Sequence, residues 1–291
     1  MEYQTLGNTN IKVSRIGIGC YQMGGTHGGG GWPGMDDTES VETIQHAESL
    51  GVNLVDTAEG YGGGHSESLI GRALADRRSR YVIATKVAPP VETDSETDTR
   101  NRIQSACTGS LKRLHTDNID IYQLHGVPPK KLMPAVVEEL TALQHAGKIR
   151  CWGISTNDSD AIRNLTALGD LAVAQIGLSI INLTAEKALS LSQTENIGTL
   201  IRVPLGQGAL TGKYFDTQKL RDDDRRYARF TNPQGRAALA KLSELKFLTE
   251  QGRTMVQAAL RFVLDTKGVT AAIPGAKNRS QLEENVRAVN V

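Results

Sequence analysis

The chain has 291 residues, above the roughly 150 of an average domain and close to the roughly 250 that one (β/α)8 barrel needs, so a single domain over 1–291 is expected. Its 33 lysines and arginines nearly cancel 32 aspartates and glutamates, which leaves no field to gather nucleic acid or an anionic membrane and favours a small, neutral or modestly charged partner. No run approaches the ~18 apolar residues of a membrane span, and the early Glu2 does not suit a secretory leader, so the cytoplasm is the expected location.

The first element in chain order is a hairpin over Tyr3–Val13 with Gly7-Asn8 at its centre, placed to plug one end of a barrel. Short apolar strands then alternate with amphipathic helices, the pattern of parallel β-α units. Strands are predicted at Arg15–Cys20, Asn53–Asp56, Tyr81–Val87, Ile119–His125, Ile149–Ser155, Val173–Leu178, Gly198–Val203 and Val269–Pro274. Helices are predicted at Thr38–Leu50, Ser66–Ala75, Arg100–Leu114, Pro134–Ala146, Asp158–Leu168 and Thr184–Leu191, with extra helical patterns at Gly235–Thr249 and Thr254–Leu264. This is an α/β chain, a (β/α)8 TIM barrel with an N-terminal β-hairpin. Two βα loops break the rhythm, Gly24–Gly34 and Thr211–Asn232, and both belong at the C-terminal mouth where such barrels build their sites.

Ionisable residues stand at the ends of neighbouring predicted strands: Asp56, Lys86 and His125, with Tyr61 five residues beyond Asp56. All of them converge on one point of the mouth, and the set suits carbonyl reduction, in which hydride reaches carbon and a proton reaches oxygen. Tyr61 is the expected proton donor. Lys86 is expected to lower its pKa, Asp56 to hold Lys86, and His125 to donate a hydrogen bond to the carbonyl oxygen.

These segments resemble the aldo-keto reductase superfamily over essentially the whole chain. Leu54-Val55-Asp56-Thr57-Ala58-Glu59-Gly60-Tyr61-Gly62 is similar to the family's Asp-Thr-Ala-x-x-Tyr-Gly segment, Ala84-Thr85-Lys86 to its lysine strand, and Asp120-Ile121-Tyr122-Gln123-Leu124-His125 to its histidine strand. Gly147-Lys148-Ile149-Arg150 before Gly153-Ile154-Ser155, Pro204-Leu205-Gly206-Gln207-Gly208-Ala209-Leu210-Thr211-Gly212-Lys213, and Ile273-Pro274-Gly275-Ala276 before Glu284-Asn285 follow in the family's order. The resemblance implies an NADP-dependent reductase of small carbonyl compounds with the catalytic set Asp56, Tyr61, Lys86 and His125.

It also implies a cofactor site. Gln175 would lie under the nicotinamide beside Asp56, and Ser155 would hold its carboxamide. The pyrophosphate would run along Pro204, Leu205, Gly206, Gly208 and Leu210. Gly275, Lys277, Gln281, Glu284 and Asn285 would meet the adenosine end, with Lys277 on the 2′-phosphate that distinguishes NADPH.

The chain departs from the family pattern in three places. Asn157 in Ser155-Thr156-Asn157 is the candidate for a displaced carboxamide contact. Arg202 stands where many relatives carry an aromatic residue, and its guanidinium either stacks on the nicotinamide or binds phosphate. Gly177-Leu178-Ser179 lacks a tyrosine that relatives often carry.

Gly29, Gly31 and Gly34 imitate a dinucleotide fingerprint, but the segment starts well past its strand and contains Pro33, so it reads as a mouth loop in which Trp32 either covers substrate or stands exposed at a contact with another molecule. The 3 cysteines, Cys20, Cys107 and Cys151, never form a Cys-x-x-Cys; buried reduced thiols and no metal are expected. Arg221, Arg225, Arg226 and Arg229 in Phe215–Phe230 fit either a polar or phosphorylated substrate or a solvated loop. Two other classes compete with the enzyme. One is a regulatory subunit that binds NADP with little turnover. The other is a barrel hydrolase using Asp56 and Glu59, which lacks a paired acid at a matching strand end.

Overall fold

The computed structural model describes residues 1–29, 32–212 and 231–291. The β-branched runs form parallel strands in chain order: β3 (Ile18–Gly19), β4 (Leu54–Asp56), β5 (Val82–Val87), β6 (Ile119–Leu124), β7 (Ile149–Ser155), β8 (Val173–Gly177), β9 (Gly198–Arg202) and β10 (Ala271–Ala272). Each pairs with its sequence neighbour, and the two edges meet. Parallel bridges Ile16↔Ala272 and Gly19↔Gly275, with Gly17 N–H donating to Ala272 O at 2.8 Å, close the sheet into a barrel. The buried Arg15 guanidinium clasps this seam by donating to the carbonyls of Leu264, Val269 and Thr270.

Helices α1 (Asp37–Ser49), α2 (His65–Leu74), α3 (Glu96–Arg113), α4 (Met133–His145), α5 (Ser159–Thr166) and α6 (Glu186–Thr194) follow β3 to β8 in turn. Between β9 and β10 come α7 (Pro233–Leu242) and α8 (Met255–Asp265), and α9 (Arg279–Arg287) follows β10. The apolar faces of α1 to α6 and of α8 and α9 form one core with the outward side chains of the strands, among them Ile83, Tyr122 and Trp152. Inward-facing Leu54, Ala84, Ile121, Val173 and Leu200 form a second, and onto it pack Leu6, Ile11 and Val13 of the hairpin. That hairpin, β1 (Tyr3–Thr5) with β2 (Lys12–Ser14) in antiparallel register, stoppers the end of the barrel opposite the mouth.

The predicted barrel and hairpin are both present. The first and last predicted strands shrink to two residues each, because a ladder at the seam is made only where both edges reach it. Helix α3 starts four residues before the predicted Arg100: Ser95 accepts from Asp98 N–H while Asp98 accepts from Ser95 N–H, a capping box that fixes the start. The predicted helix Gly235–Thr249 is α7 followed by a 3-10 segment, Ser243–Gly252. Gly31 and the arginines at 221, 225, 226 and 229 lie outside the described residues. All three cysteines are buried free thiols. Among the described residues no helix is long and apolar enough to cross a membrane.

Candidate active site

The C-terminal ends of the strands open into a cavity of about 630 Å³, in the range that small-molecule ligands occupy. Asp56 ends β4 and Lys86 stands one residue from the end of β5. The Lys86 Nζ donates to Asp56 Oδ1 (2.7 Å) and the Thr57 carbonyl (2.7 Å), and lies 3.3 Å from the Tyr61 hydroxyl. Every ammonium proton therefore has a partner, which is what allows a fully buried lysine to stay charged. The other Asp56 oxygen accepts at 2.7 Å from Nε2 of Gln175, in the middle of β8.

Tyr61 is delivered by a tight turn after β4, in which Tyr61 N–H donates to the Ala58 carbonyl at 3.0 Å and Glu59 N–H to the Lys86 carbonyl at 3.1 Å. The turn presses on the glycine-rich loop at a Gly24–Gly62 contact so close that a Cβ on Gly62 would lie 2.2 Å from Gly24 O. Tyr21 packs edge-on against the Tyr61 ring, with centroids 4.9 Å apart. On the other side of the ring stands His125, just past β6, with ring centroids 5.5 Å apart.

The electrostatics correct one expectation. Burial lifts the Tyr61 hydroxyl above the usual tyrosine value, and the Lys86 ammonium, which pulls it down, offsets this only in part. The phenol therefore stays protonated, the form that a proton donor needs. Burial would pull Lys86 down, but Asp56 and Tyr61 hold it above the usual lysine value. At the mouth, surrounding protein and then the Lys86 and Arg202 cations push His125 down to about 4, so the imidazole is neutral near pH 7.

A testable consequence is a pH dependence of stability. His125 takes up its proton more readily unfolded, near the usual 6.5, than folded, near 4. On its account stability rises with pH from about 4 to about 6.5 and is flat above. Urea unfolding at pH 5 and pH 7 should show a larger gain in the wild type than in His125→Asn; equal gains would remove His125 as the cause.

Of the residues implied for cofactor, Ser155, Gln175, Arg202, Pro204, Leu205, Gly208, Gly275, Lys277, Gln281, Glu284 and Asn285 line this cavity. Asn157, Gly206 and Leu210 do not line it. Asn157 spends its amide on both backbone groups of Gly177, holding β7 to β8, with Arg202 Nη2 3.4 Å from its oxygen. Gly206 packs towards Ile181, and Leu210 is buried in a small core with Leu242 and Ala259. Lys86 also lies off the cavity wall, beneath Asp56 and Tyr61.

The wall has members that the sequence reading did not assign to the site, Tyr21, Gln22 and Val203 among them. Tyr21 and Gln22 follow β3 directly, so the rule that βα loops carry the site was signal enough to find them. Val203 carries no such signal: it holds φ at +57°, a strained value for a β-branched residue, as the chain leaves β9.

Two buried polar atoms on the wall, Gln22 Oε1 and Arg202 Nε, have no protein partner. Gly206, Gln207 and Gly208 all hold positive φ, and the Gly206 and Gly208 N–H groups donate to the Val203 and Leu205 carbonyls, a tight turn that brings Gln207 and Gly208 onto the wall beside the Arg202 cation. A large polar, anionic ligand fits these groups.

The aldo/keto reductase family model matches residues 15–291. The chain is 34% identical over 292 residues to the aldo-keto reductase YhdN of Bacillus subtilis (strain 168), covering 97% of this chain and 87% of that one. It is 31% identical to an NADH-specific methylglyoxal reductase of Escherichia coli (strain K12), covering 98% and 93%. Among solved structures it is similar to an aldo-keto reductase from Klebsiella pneumoniae in complex with NADPH, at TM-score 0.77 and 26% identity, covering 100% of this chain and 91% of that one. With the barrel, the mouth cavity and the Asp56–Lys86–Tyr61 contact in place, the chain belongs to the aldo/keto reductase family.

Proposed function

We propose that the protein reduces aldehydes or ketones to alcohols with NADPH, using Tyr61 as general acid. The reading takes 1–291 as one barrel domain, working in the cytoplasm on a small carbonyl compound. The observation that carries it is the Lys86 ammonium, fixed between Asp56 and the hydroxyl of a still-protonated Tyr61 at the floor of the cavity. NADPH, when bound, supplies the hydride. Tyr61 gives its proton to the carbonyl oxygen, the phenolate left behind is stabilised by Lys86, and Asp56 keeps that cation in place. Neutral His125 donates a hydrogen bond to the same oxygen and orients it. Gln175 braces Asp56 from the far side, and the unpartnered Arg202 and Gln22 atoms support a role in holding the cofactor. NADPH oxidation measured across a panel of aldehydes, ketones and sugars should show turnover. Tight binding with no turnover across that panel would instead favour a regulatory NADP-binding subunit.

The preference for NADPH rests on Lys277, which follows β10 and lies just before α9, whose Asn278 cap accepts from Gln281 N–H. A cation beside a helix N-terminus suits a 2′-phosphate. The Escherichia coli relative's preference for NADH makes this a point to test. Lys277→Ala should weaken NADPH binding by roughly ten- to more than a hundredfold, the range of one hydrogen bond to a charged group, and leave NADH almost unchanged. Fluorescence titrations of both cofactors decide it: equal dissociation constants in the wild type would defeat the preference.

A further inference from the structure

Three metal-binding side chains from separate parts of the sequence meet beside the glycine-rich loop. His27 lies in a 3-10 turn of that loop, Asp37 opens α1, and His65 opens α2. One ligand atom from each lies within 4.8 Å of the other two. The rings of His27 and His65 are tilted by 32° with centroids 3.9 Å apart, and His65 Nε2 lies 2.8 Å from Asp37 Oδ1. The backbone holds them there. Gly28 rides on Gly63, where an added Cβ would come 3.0 Å from Gly63 N, just as Gly24 rides on Gly62. Larger residues at these crossings would lift His27 away from His65.

We propose that His27, Asp37 and His65 bind one divalent transition-metal ion, with Zn²⁺ as the preferred occupant. Two imidazole nitrogens and one carboxylate oxygen would serve as ligands and water would take the remaining position. Imidazole with a single carboxylate is a donor set for zinc and its neighbours in the first transition row, whereas magnesium and calcium take oxygen. Tetrahedral zinc with ligand bonds of about 2.0–2.2 Å sets its ligand atoms roughly 3.3–3.6 Å apart. The ion therefore opens the His65–Asp37 contact slightly and draws His27 in, which are side-chain rotations for an exposed His27 and half-buried partners. The positive ends of α1 and α2 both face the site and oppose a cation, and Asp37 is the only anionic ligand. The site is accordingly one that fills and empties with metal supply.

Occupancy has a direct structural effect. The loop that carries His27 also carries Tyr21, edge-on to Tyr61, and Trp32, whose ring lies 4.7 Å from Lys277 Nζ. An ion tying this loop to α1 and α2 restrains one wall of the active-site cavity.

The test is Zn²⁺ titration of the untagged full chain without cofactor, read by calorimetry and tryptophan fluorescence, and repeated with Co²⁺ to read its visible absorption bands. One ion per chain is expected, with cobalt bands of low coordination number and a thermal midpoint that rises with Zn²⁺ concentration. His27→Ala, Asp37→Asn and His65→Ala should each weaken binding by at least about ten- to a hundredfold, while His46→Ala, a histidine paired with Glu283, should bind as the wild type does. Because His27 is exposed, circular dichroism of His27→Ala should match the wild type. Absence of stoichiometric binding, or binding that survives both His27→Ala and His65→Ala, would overturn the site. None of these measurements uses nicotinamide or substrate, so the site and the reductase reading fail or stand separately.

Discussion

Tyr61→Phe should lower turnover about 100- to 10,000-fold at saturating substrate, the usual worth of a general acid, while the dissociation constant for NADPH changes little. Phenylalanine keeps the ring that packs between Tyr21 and His125 and removes only the hydroxyl near Lys86 Nζ. The variant should therefore fold and bind. Stopped-flow reduction with NADPH separates the chemical step from cofactor release. A variant that keeps half the wild-type rate of hydride transfer would take the proton-donor role away from Tyr61.

Lys86→Met should be more damaging, because it strikes activity and stability together. The cation that stabilises the Tyr61 phenolate is lost, so turnover should fall at least as far as in Tyr61→Phe. The buried Asp56 carboxylate also loses its counter-charge, keeping only the Gln175 amide, at a cost of about 3–5 kcal/mol for breaking a buried pair on one side. The Lys86 partner groups hold its folded-state pKa above the usual lysine value, so its contribution is fully present at neutral pH and is lost only as strongly alkaline pH is reached. Urea unfolding at pH 7 measures the stability arm, and Lys86→Met/Asp56→Asn should recover part of it without recovering turnover. A Lys86→Met protein as stable as the wild type would mean that the pair contributes nothing to the fold.

How much was legible follows from where each signal lies. The run Ile149–Ser155 could be read to the residue because, apart from the exposed Arg150, it is buried and mostly apolar, and Gly147-Lys148 before it breaks the preceding helix. Asp56, Lys86 and His125 could be placed at one mouth because each stands within a residue of a strand's C-terminal end, and these ends in a parallel barrel share a face. The balance of forces on Tyr61 could not be read: Lys86 was visible in the sequence, but the burial that outweighs it depends on packing by residues as distant as Tyr21. That Asn157 lies off the cavity wall was illegible for a related reason. It stands two positions past the wall residue Ser155 in sequence, yet its amide matches the backbone groups of Gly177 on the neighbouring strand and is used there. The trio His27, Asp37 and His65 has no motif spacing, since its members are joined only by the glycine crossings between two loops.

The stopper at the base of the barrel has a consequence for synthesis. Leu6, Ile11 and Val13 leave the ribosome long before their partners: the inner core that covers them includes Ala271 and Ile273, and the carbonyls gripped by Arg15 belong to residues 264, 269 and 270. At about 5–20 residues per second the N-terminal hairpin waits roughly ten seconds to a minute for the strand that completes its pocket. During that interval its apolar residues and the edge of β3 lack the partners that the β10 segment supplies, so the seam of the barrel is the last part of the sheet to close.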